Sequence, residues 1–333
     1  MKYVNSGSPQ IRDNANTKRI MIDVCIALLP ATIVGCIFLA LQNPQYAIHS
    51  AMLMVISVLS AVVAELVYKL IAKVPFQQAL KEFDFSSVVT GMLIGMNLYQ
   101  DSKWYAAVLT SVFAIIVVKM LFGGTGKNVV NPAIAGRIFA YISFGAGLSA
   151  SVETSTGSAT TGATPLHKYI FNNANGIDLW NLFLGKDIVG CIGEISKIAL
   201  LIGGVYLVVR GVINFRWPLV YMIVTGITTV IISVATGTHF VIAIDKFLPS
   251  ILSGGLMLGA IFMATDYVTS PITKLGKYIY YIFLGIITAV LRNAIQAEAV
   301  SFAILLGNLV VPLIDSFVVN RPFGWHKLQK EVK

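Results

Sequence analysis

Long apolar runs alternate with short polar stretches along most of this 333-residue chain. A helix needs roughly 20 apolar residues to cross a bilayer. The runs that predict full spans are Ile20–Leu41, Ala47–Ile71, Trp104–Phe122, Ile188–Val209, Pro218–Ala235, Tyr278–Leu291 with its flanks, and Ala299–Val319. The runs that predict broken or half-depth helices, because they are short or interrupted by glycine, are Val88–Leu98, Pro132–Phe144 and Ile251–Met263. The pattern predicts an all-α polytopic membrane protein of about ten segments.

Composition and charge placement agree with a membrane protein. Charged residues make up 12% of the chain, against about a quarter in soluble domains. Basic residues mark the cytoplasmic side of membrane proteins, and here they cluster in alternate loops. The basic residues that mark these loops are Lys18, Arg19, Lys69, Lys73, Lys81, Lys127, Arg210, Arg216, Lys274, Lys277, Arg321, Lys327, Lys330 and Lys333. We therefore predict cytoplasmic termini and an outer-face location for the long polar stretch before the sixth full or partial span.

A faint internal repeat divides the chain into two halves. GMLIGMNL (Gly91–Leu98) resembles GGLMLGAIFM (Gly254–Met263), and a longer helix ending near Lys119 or Arg292 follows each. Five segments per half is an odd number, so the halves would have inverted topology, with a site at their interface. The predicted organisation is a first membrane repeat at 1–145, an outer-face loop at 146–187, a second repeat at 188–320 and a cytoplasmic tail at 321–333.

The stretch GGTGKNVVNPAIAGR (Gly123–Arg137) invites a phosphate-loop interpretation, which fails. That motif needs glycine where Leu121 stands and a hydroxyl residue where Asn128 stands. Spacing alone leaves two interpretations open. Asn131 and Pro132 either lie in a cytoplasmic turn or begin a half-helix whose free N–H groups face a ligand.

The stretch MATDYVTSPIT (Met263–Thr273) places an acidic residue and several hydroxyls after a broken helix. An ionisable group at the end of an apolar run is costly and often functional. Spacing favours the simpler interpretation, in which Asp266 caps a helix on the cytoplasmic side.

Other charges lie within apolar runs. Glu194 and Lys197 are three residues apart, close enough on one helix to form a structural ion pair. Asp23 and Glu65 have no local partner, so we expect them to couple to an ion or to pair with other helices.

Several classes of site are not indicated. Cys25, Cys36 and Cys191 lie singly in apolar runs, which excludes an ordinary zinc or iron–sulfur ligand set within this chain. Neither a dinucleotide-binding fingerprint nor a catalytic triad is found, and the histidines are scattered. We therefore predict no metal site, no nucleic-acid partner, and no NAD binding or ATP cleavage by this chain alone.

Four separated motifs carry a resemblance that covers essentially the whole chain. They are TGATPL (Thr161–Leu166), GKNVVNPAIAGR, MATDYVTSPIT and FAILLGNLVVPLID (Phe302–Asp315). The chain resembles the D subunits of Rnf-type ion-translocating ferredoxin:NAD oxidoreductases. It is similar, more distantly, to the B subunits of Na⁺-translocating NADH:quinone reductases.

The resemblance implies that Thr164 carries covalent FMN through a phosphoester. Gly162 and Ala163 are small enough for close approach to the backbone, and Thr161 offers a neighbouring hydroxyl. Without the resemblance, the stretch SATTGATPL (Ser158–Leu166) would be a flexible linker. The resemblance also implies a second, non-covalent flavin, riboflavin, in the membrane domain. Its candidate ligands are Lys127, Asn128, Asn131, Arg137, Asp266 and Thr269.

The implied function is electron transfer within a complex that couples ferredoxin oxidation and NAD⁺ reduction to Na⁺ or H⁺ translocation. The implied partners are an outer-face flavin subunit, iron–sulfur membrane subunits, soluble NAD- and ferredoxin-handling subunits, and membrane lipid. The implied location is the inner membrane of a prokaryote. The alternative is a small-solute channel or transporter with the same inverted repeat and no redox chemistry.

Overall fold

The computed structural model describes residues 16–99, 102–144, 151–153, 159–161, 179–185, 191–295 and 299–319. The helices before the long polar stretch are α1 Thr17–Gln42, α2 Pro44–Ile71, α3 Phe76–Lys81, α4 Ser86–Asn97, α5 Trp104–Met120 and α6 Pro132–Phe144. The later helices are α7 Leu179–Leu184, α8 Ile192–Ile195, α9 Lys197–Val209, α10 Arg216–Ala235, α11 Phe240–Asp245, α12 Phe247–Leu252, α13 Leu256–Met263, α14 Lys274–Ile295 and α15 Ala299–Phe317. A short hairpin pairs β1 Ser151–Glu153 antiparallel with β2 Ala159–Thr161.

The outer surface of the helices is apolar. Within the described ranges, α1, α2, α10, α14 and α15 are long and apolar enough to cross a membrane, and Phe240–Leu252 with α13, bent by 59°, would be a sixth span. Helix α1 exposes Ile33 by 56% and Ile37 by 53%, which suits lipid as the surrounding solvent. The prediction of an all-α polytopic membrane protein is confirmed. The count of ten segments and the inverted repeat stay predictions.

One predicted span is interrupted. The run Ile188–Val209 does not form a continuous helix, because Ser196 adopts an extended conformation between α8 and α9. The Ser196 hydroxyl accepts a hydrogen bond from the backbone N–H of Ala199 at 3.3 Å and so begins a new helix. Helix α11 lies between the predicted runs Pro218–Ala235 and Ile251–Met263, where the apolar pattern predicts no segment.

Small residues set the position of helix α4 against α2. A Cβ atom built on Gly95 would lie 2.7 Å from the Cα of Met54 in α2, and one on Gly91 would lie 2.6 Å from the Cα of Val58. Helices approach this closely in membranes where glycine faces the neighbour. The close contact fixes α4 against α2 and directs its first residue toward the interface between the halves.

A cation from a later helix contacts the beginning of α4, and another contacts residues that precede α13. In the first half, Lys119 of α5 donates to the hydroxyl of Ser86, the first residue of α4, at 2.6 Å. In the second half, Arg292 of α14 donates to the carbonyls of Ser250 and Ser253, which precede α13. The inverted repeat, in which Lys119 and Arg292 would be equivalent, stays a prediction.

Candidate functional site

A cavity of about 100 Å³ lies between the two halves of the chain, beside the start of α4 and α6 and the ends of α9 and α13. Its apolar lining includes Val89, Leu93 and Phe262. Its polar lining residues are Ser86, Thr90, Lys119, Thr125, Asn128, Asn131, Thr265, Asp266 and Tyr267. The structure therefore brings GKNVVNPAIAGR and MATDYVTSPIT, which are far apart in sequence, to one cavity.

Asn131 joins the two motifs directly. Its side-chain oxygen accepts hydrogen bonds from the N–H groups of Ala133 and Ile134 at 2.9 and 3.4 Å, so it caps α6. Its side-chain amide donates to the carbonyl of Met263 at 3.2 Å, across the interface between the halves. A helix that begins at Pro132 is confirmed, but the interpretation with free N–H groups facing a ligand is wrong at these two positions, because Asn131 accepts their hydrogen bonds.

Asp266 lies in a turn that follows α13. Its carboxylate accepts hydrogen bonds from the N–H of Val268 and the hydroxyl of Thr269, both at 3.3 Å. Burial raises the pKa of the Asp266 carboxyl, and these two hydrogen bonds oppose that effect. The interpretation of Asp266 as a helix cap is wrong, because the carboxylate stabilises a turn. Thr269 does not line the cavity. Its hydroxyl instead orients the Asp266 carboxylate by donating a hydrogen bond to it.

Asn128 is another motif residue that lines the cavity. Its amide group donates to the carbonyl of Val130 at 3.0 Å, which orients the side chain. Lys127 is exposed and does not line the cavity. Of the candidate ligands named from the sequence, Asn128, Asn131 and Asp266 thus surround one space.

A charged network forms the wall beside the start of α4. Glu65 accepts from Lys119 at 2.8 Å and from Lys69 at 2.7 Å, and the hydroxyl of Ser87 also donates to it. Glu65 and Lys119 are each 2% exposed. Glu65 therefore has a partner on another helix, as one of the two sequence expectations stated. The prediction that it has no local partner is wrong, because Lys69 lies four residues later on α2 and pairs with it.

Asp84 extends this network outside the helices. Its carboxylate oxygen Oδ1 lies 3.9 Å from the ammonium nitrogen of Lys119. The same oxygen accepts a hydrogen bond from the N–H of Ser86 at 3.1 Å. Burial acts to raise the pKa of the Asp84 carboxyl, but the charge of Lys119 and the hydrogen bonds from Ser86 and Thr125 outweigh it, so the pKa is lowered.

Asp23 also has a partner on another helix. Arg210 donates to both of its carboxylate oxygens, at 3.0 and 3.2 Å, and the hydroxyl of Tyr206 donates to it at 3.0 Å. Asp23 is 6% exposed, whereas the Arg210 side chain is 37% exposed, so this ion pair between α1 and the end of α9 joins a buried carboxylate to an accessible guanidinium. The ion pair with Arg210 gives Asp23 a structural role that requires no bound ion.

Arg137 lies in a separate polar cluster. It donates to the side chain of Asn97 and to Glu194, the latter at 3.2 Å. The expected Glu194–Lys197 ion pair is wrong, because the helix breaks between them at Ser196 and the Lys197 ammonium donates to the backbone carbonyl of Glu194. Arg137 does not line the cavity that holds Asn128 and Asp266.

The proposed flavin-attachment residues Gly162, Ala163 and Thr164 lie outside the described residues, and Thr161 is the last residue of β2. The cavity residues Thr90, Thr125 and Thr265 were not predicted from the sequence. Thr265 stands within MATDYVTSPIT beside Asp266, and that position is the only signal the sequence offers for it.

Interrupted helical geometry occurs on both sides of the cavity. Residues Phe113–Met120 of α5 and Gly259–Met263 of α13 form π-helical turns. The first segment carries Lys119 and the second carries Phe262, and both residues line the cavity. Such turns are rare and are frequent at functional sites.

The sequence matches the family described as NQR2, RnfD, RnfE over residues 4–324. It is 38% identical to the D subunit of the Na⁺-translocating ferredoxin:NAD⁺ oxidoreductase complex of Acetobacterium woodii, with 98% of this chain and 97% of that protein aligned. It is 32% identical to the D subunit of the proton-translocating ferredoxin:NAD⁺ oxidoreductase complex of Clostridium ljungdahlii, over 97% of this chain and 96% of that protein. It is 28% identical to the B subunit of the Na⁺-translocating NADH-quinone reductase of Neisseria meningitidis, over 95% of this chain and 88% of that protein. This multi-pass α-helical membrane protein belongs to the NQR2, RnfD, RnfE family.

Proposed function

We propose that this chain is a flavin-carrying subunit of a complex that couples electron transfer from ferredoxin to NAD⁺ with ion translocation. The observation that carries the proposal is its near full-length similarity to the D subunits of such complexes in Acetobacterium woodii and Clostridium ljungdahlii. The cavity formed by its two most distinctive motifs supports a ligand-binding role within that complex. The relatives described above are named as oxidoreductase subunits, so no observation favours a plain channel or transporter.

The proposal includes an assembly and an orientation. The partners would be an outer-face flavin subunit, iron–sulfur membrane subunits and soluble subunits that handle NAD and ferredoxin. The chain would lie in the prokaryotic inner membrane with both termini in the cytoplasm. Under this orientation, Asn128 and Asp266 lie toward the cytoplasmic end of the cavity, whereas Thr164 lies on the outer face.

The direct test of this function uses inverted membrane vesicles from the native organism. Vesicles from cells that lack this chain are expected to lose both ferredoxin-dependent NAD⁺ reduction and the associated ion uptake. Restoring the gene is expected to restore both activities. Unchanged ion uptake during ferredoxin oxidation in vesicles without the chain would contradict the proposal.

Two flavins would have separate places in this chain. We place covalent FMN on Thr164 and a non-covalent flavin in the cavity beside Asn128 and Asp266. A flavin supplies the electron-transfer chemistry when bound, while the protein positions it and sets its surroundings. The residues in this chain would hold the ring, orient its polar edge and exclude water.

The cavity residues fit the chemistry of a flavin ring. Val89, Leu93 and Phe262 offer an apolar wall, and Asn128, Thr125 and Asp266 offer hydrogen-bonding groups at its polar side. This combination of apolar walls and a few convergent polar groups is typical of cofactor sites. The volume of about 100 Å³ is below the roughly 300 Å³ at the lower end for ligand pockets. Binding would therefore require the lining side chains to move apart.

The cavity assignment predicts a loss of non-covalent flavin on removing the Asn128 amide. Asn128→Leu is expected to weaken non-covalent flavin binding by up to about tenfold, since one neutral hydrogen bond contributes roughly 0.5–1.5 kcal/mol, and so to lower the flavin released by denaturation. Chromatography of the released flavin measures this, and the covalent flavin remains with the chain. Asn293→Leu is the matched control, because Asn293 also donates to a backbone carbonyl but does not line the cavity. Equal losses in both variants would contradict the assignment.

Ion coupling at Asp23 and Glu65 stays part of the proposal. The relatives named above differ in the ion that their complexes translocate, which is Na⁺ in one and protons in the other. If Asp23 lies on the ion path, Asp23→Asn should keep both flavins and lose ion-dependent turnover.

A double variant separates the ion-path role of Asp23 from a structural one. Asp23→Asn leaves Arg210 without its carboxylate, and Arg210→Gln removes that second effect. An ion-path carboxylate predicts that the double variant stays deficient in ion-dependent turnover. Recovery of turnover in the double variant, or full turnover in Asp23→Asn alone, would assign Asp23 to structure.

A further inference from the structure

A second cavity, of about 530 Å³, opens beside the first at the end of α9 and the start of α10 and α14. Two of its lining residues, Arg216 and Lys277, are cationic, and none of its described lining residues is acidic. Neither cation forms an ion pair with any acidic residue in the described part of the chain. The cavity therefore has a positive charge that the described protein does not neutralise.

The cavity lies where membrane helices end. Arg216 is the first residue of α10 and Lys277 lies in the first turn of α14, and both helices are apolar enough to span a bilayer. The Trp217 ring stacks on Tyr281, with ring centroids 5.9 Å apart, and meets Tyr278 edge-on at 4.9 Å. Clusters of tryptophan and tyrosine are typical of the membrane–water interface.

Lys277 is held above this aromatic cluster. Its ammonium group lies 5.9 Å from the centroid of the Trp217 ring, within the range of a cation–π contact. This contact places the ammonium at the cavity without consuming its hydrogen-bond donors. Arg216 adds a planar guanidinium, which can bind two oxygens of one phosphate.

We propose that this cavity binds the phosphate headgroup of an anionic phospholipid. Arg216 and Lys277 would contact the phosphate, and exposed apolar residues such as Val209, which is 79% exposed, would lie along the acyl chains. Basic pockets between membrane helices are a known mode of lipid recognition, and anionic lipids are abundant in the cytoplasmic leaflet. The absence of a carboxylate from the described lining disfavours a zwitterionic lipid, whose amine would lack a partner.

The lipid site would share a wall with the first cavity. Val212, Ile213, Thr265 and Tyr267 line both cavities, and the hydroxyl of Tyr267 donates to the carbonyl of Val212. A headgroup bound beside Tyr267 would stabilise the position of these shared lining residues and of the turn that carries Asp266. The lipid site does not depend on the identity of the ligand in the first cavity.

The test uses the full chain purified within its complex and depleted of native lipid. Dioleoylphosphatidylglycerol is expected to raise the melting temperature and to remain bound in native mass spectrometry, whereas dioleoylphosphatidylcholine does neither. The R216Q/K277Q double variant should bind phosphatidylglycerol at least tenfold more weakly. The R216K/K277R variant, which keeps both charges, should retain most of the binding and shows that substitution itself does not unfold the site.

The control for net charge is R19Q/K274Q. Arg19 and Lys274 are exposed cations at the starts of α1 and α14, and neither lines the cavity. This control should bind phosphatidylglycerol as the unchanged chain does, and an equal loss would overturn the proposal.

Two further outcomes identify a different occupant. Equal stabilisation by inorganic phosphate would identify a soluble anion as the ligand and overturn the lipid proposal. Loss of another subunit from R216Q/K277Q, with no response to phosphatidylglycerol in either chain, would identify an acidic protein segment and overturn it as well.

Discussion

Replacing Thr164 by valine is expected to leave the denatured chain without flavin fluorescence. A phosphoester needs a hydroxyl acceptor, and valine keeps the branched shape of threonine while removing that hydroxyl. A flavin attached covalently to Thr164, as proposed, should survive detergent and heat, whereas a flavin in the cavity would be released. In-gel fluorescence under ultraviolet light measures the difference, which is expected to be complete.

Thr161→Val is the matched control for this experiment. Thr161 ends strand β2 and belongs to the same motif, but its hydroxyl would at most help to position the phosphate. The control chain should therefore keep a fluorescent band, with reduced intensity at most. Mass spectrometry should find the FMN mass on the peptide that contains Thr164. A fluorescent band from the Thr164→Val chain would contradict the attachment site.

The helices that could be predicted from the sequence are those with local signals. Helix α6 has the predicted bounds Pro132–Phe144, because Asn131 caps it and proline suits the first helical position. Helices α1 and α2 enclose the predicted runs Ile20–Leu41 and Ala47–Ile71, since a long apolar run has few alternatives to a membrane helix.

Features that depend on distant residues were beyond the reach of sequence patterns. Asp23 and Arg210 are 187 positions apart, and Glu65 and Lys119 are 54 apart, so neither pair has a local signal. The wrong prediction of an ion pair between Glu194 and Lys197 has a local cause instead. Ser196 interrupts an apolar run that otherwise suggests one continuous helix.

The candidate cavity was predictable only in part. The sequence singled out Asn131 and Asp266 as chemically unusual, but the two residues belong to opposite halves. Their common location depends on contacts across the interface, such as the hydrogen bond from Asn131 to the carbonyl of Met263. Packing between helices, which leaves no local pattern in a single sequence, therefore creates the site.

Disrupting the buried network around Glu65 is expected to have the largest effect on stability. Glu65→Gln should lower the free energy of unfolding by about 3 kcal/mol, because it leaves the Lys119 ammonium buried without its main partner. The nearest remaining carboxylate, that of Asp84, is 3.9 Å away. Unfolding in mixed detergent micelles with increasing SDS measures the change. Glu82→Gln, at an exposed position, is the control and should stay within about 0.5 kcal/mol of the unchanged chain.

Substitutions at the other residues of this network should lower the free energy of unfolding in a definite order. Lys119→Met should lower the free energy of unfolding by less than Glu65→Gln does, because Lys69 still pairs with Glu65 at 2.7 Å. The double variant Glu65→Gln with Lys119→Met should recover most of the loss, since no buried charge is then left without a partner. Lys69 can reach water in that variant, because its side chain is 15% exposed. If Glu65→Gln instead unfolds like the unchanged chain and loses its ion-dependent turnover, Glu65 acts on the ion and not on the fold.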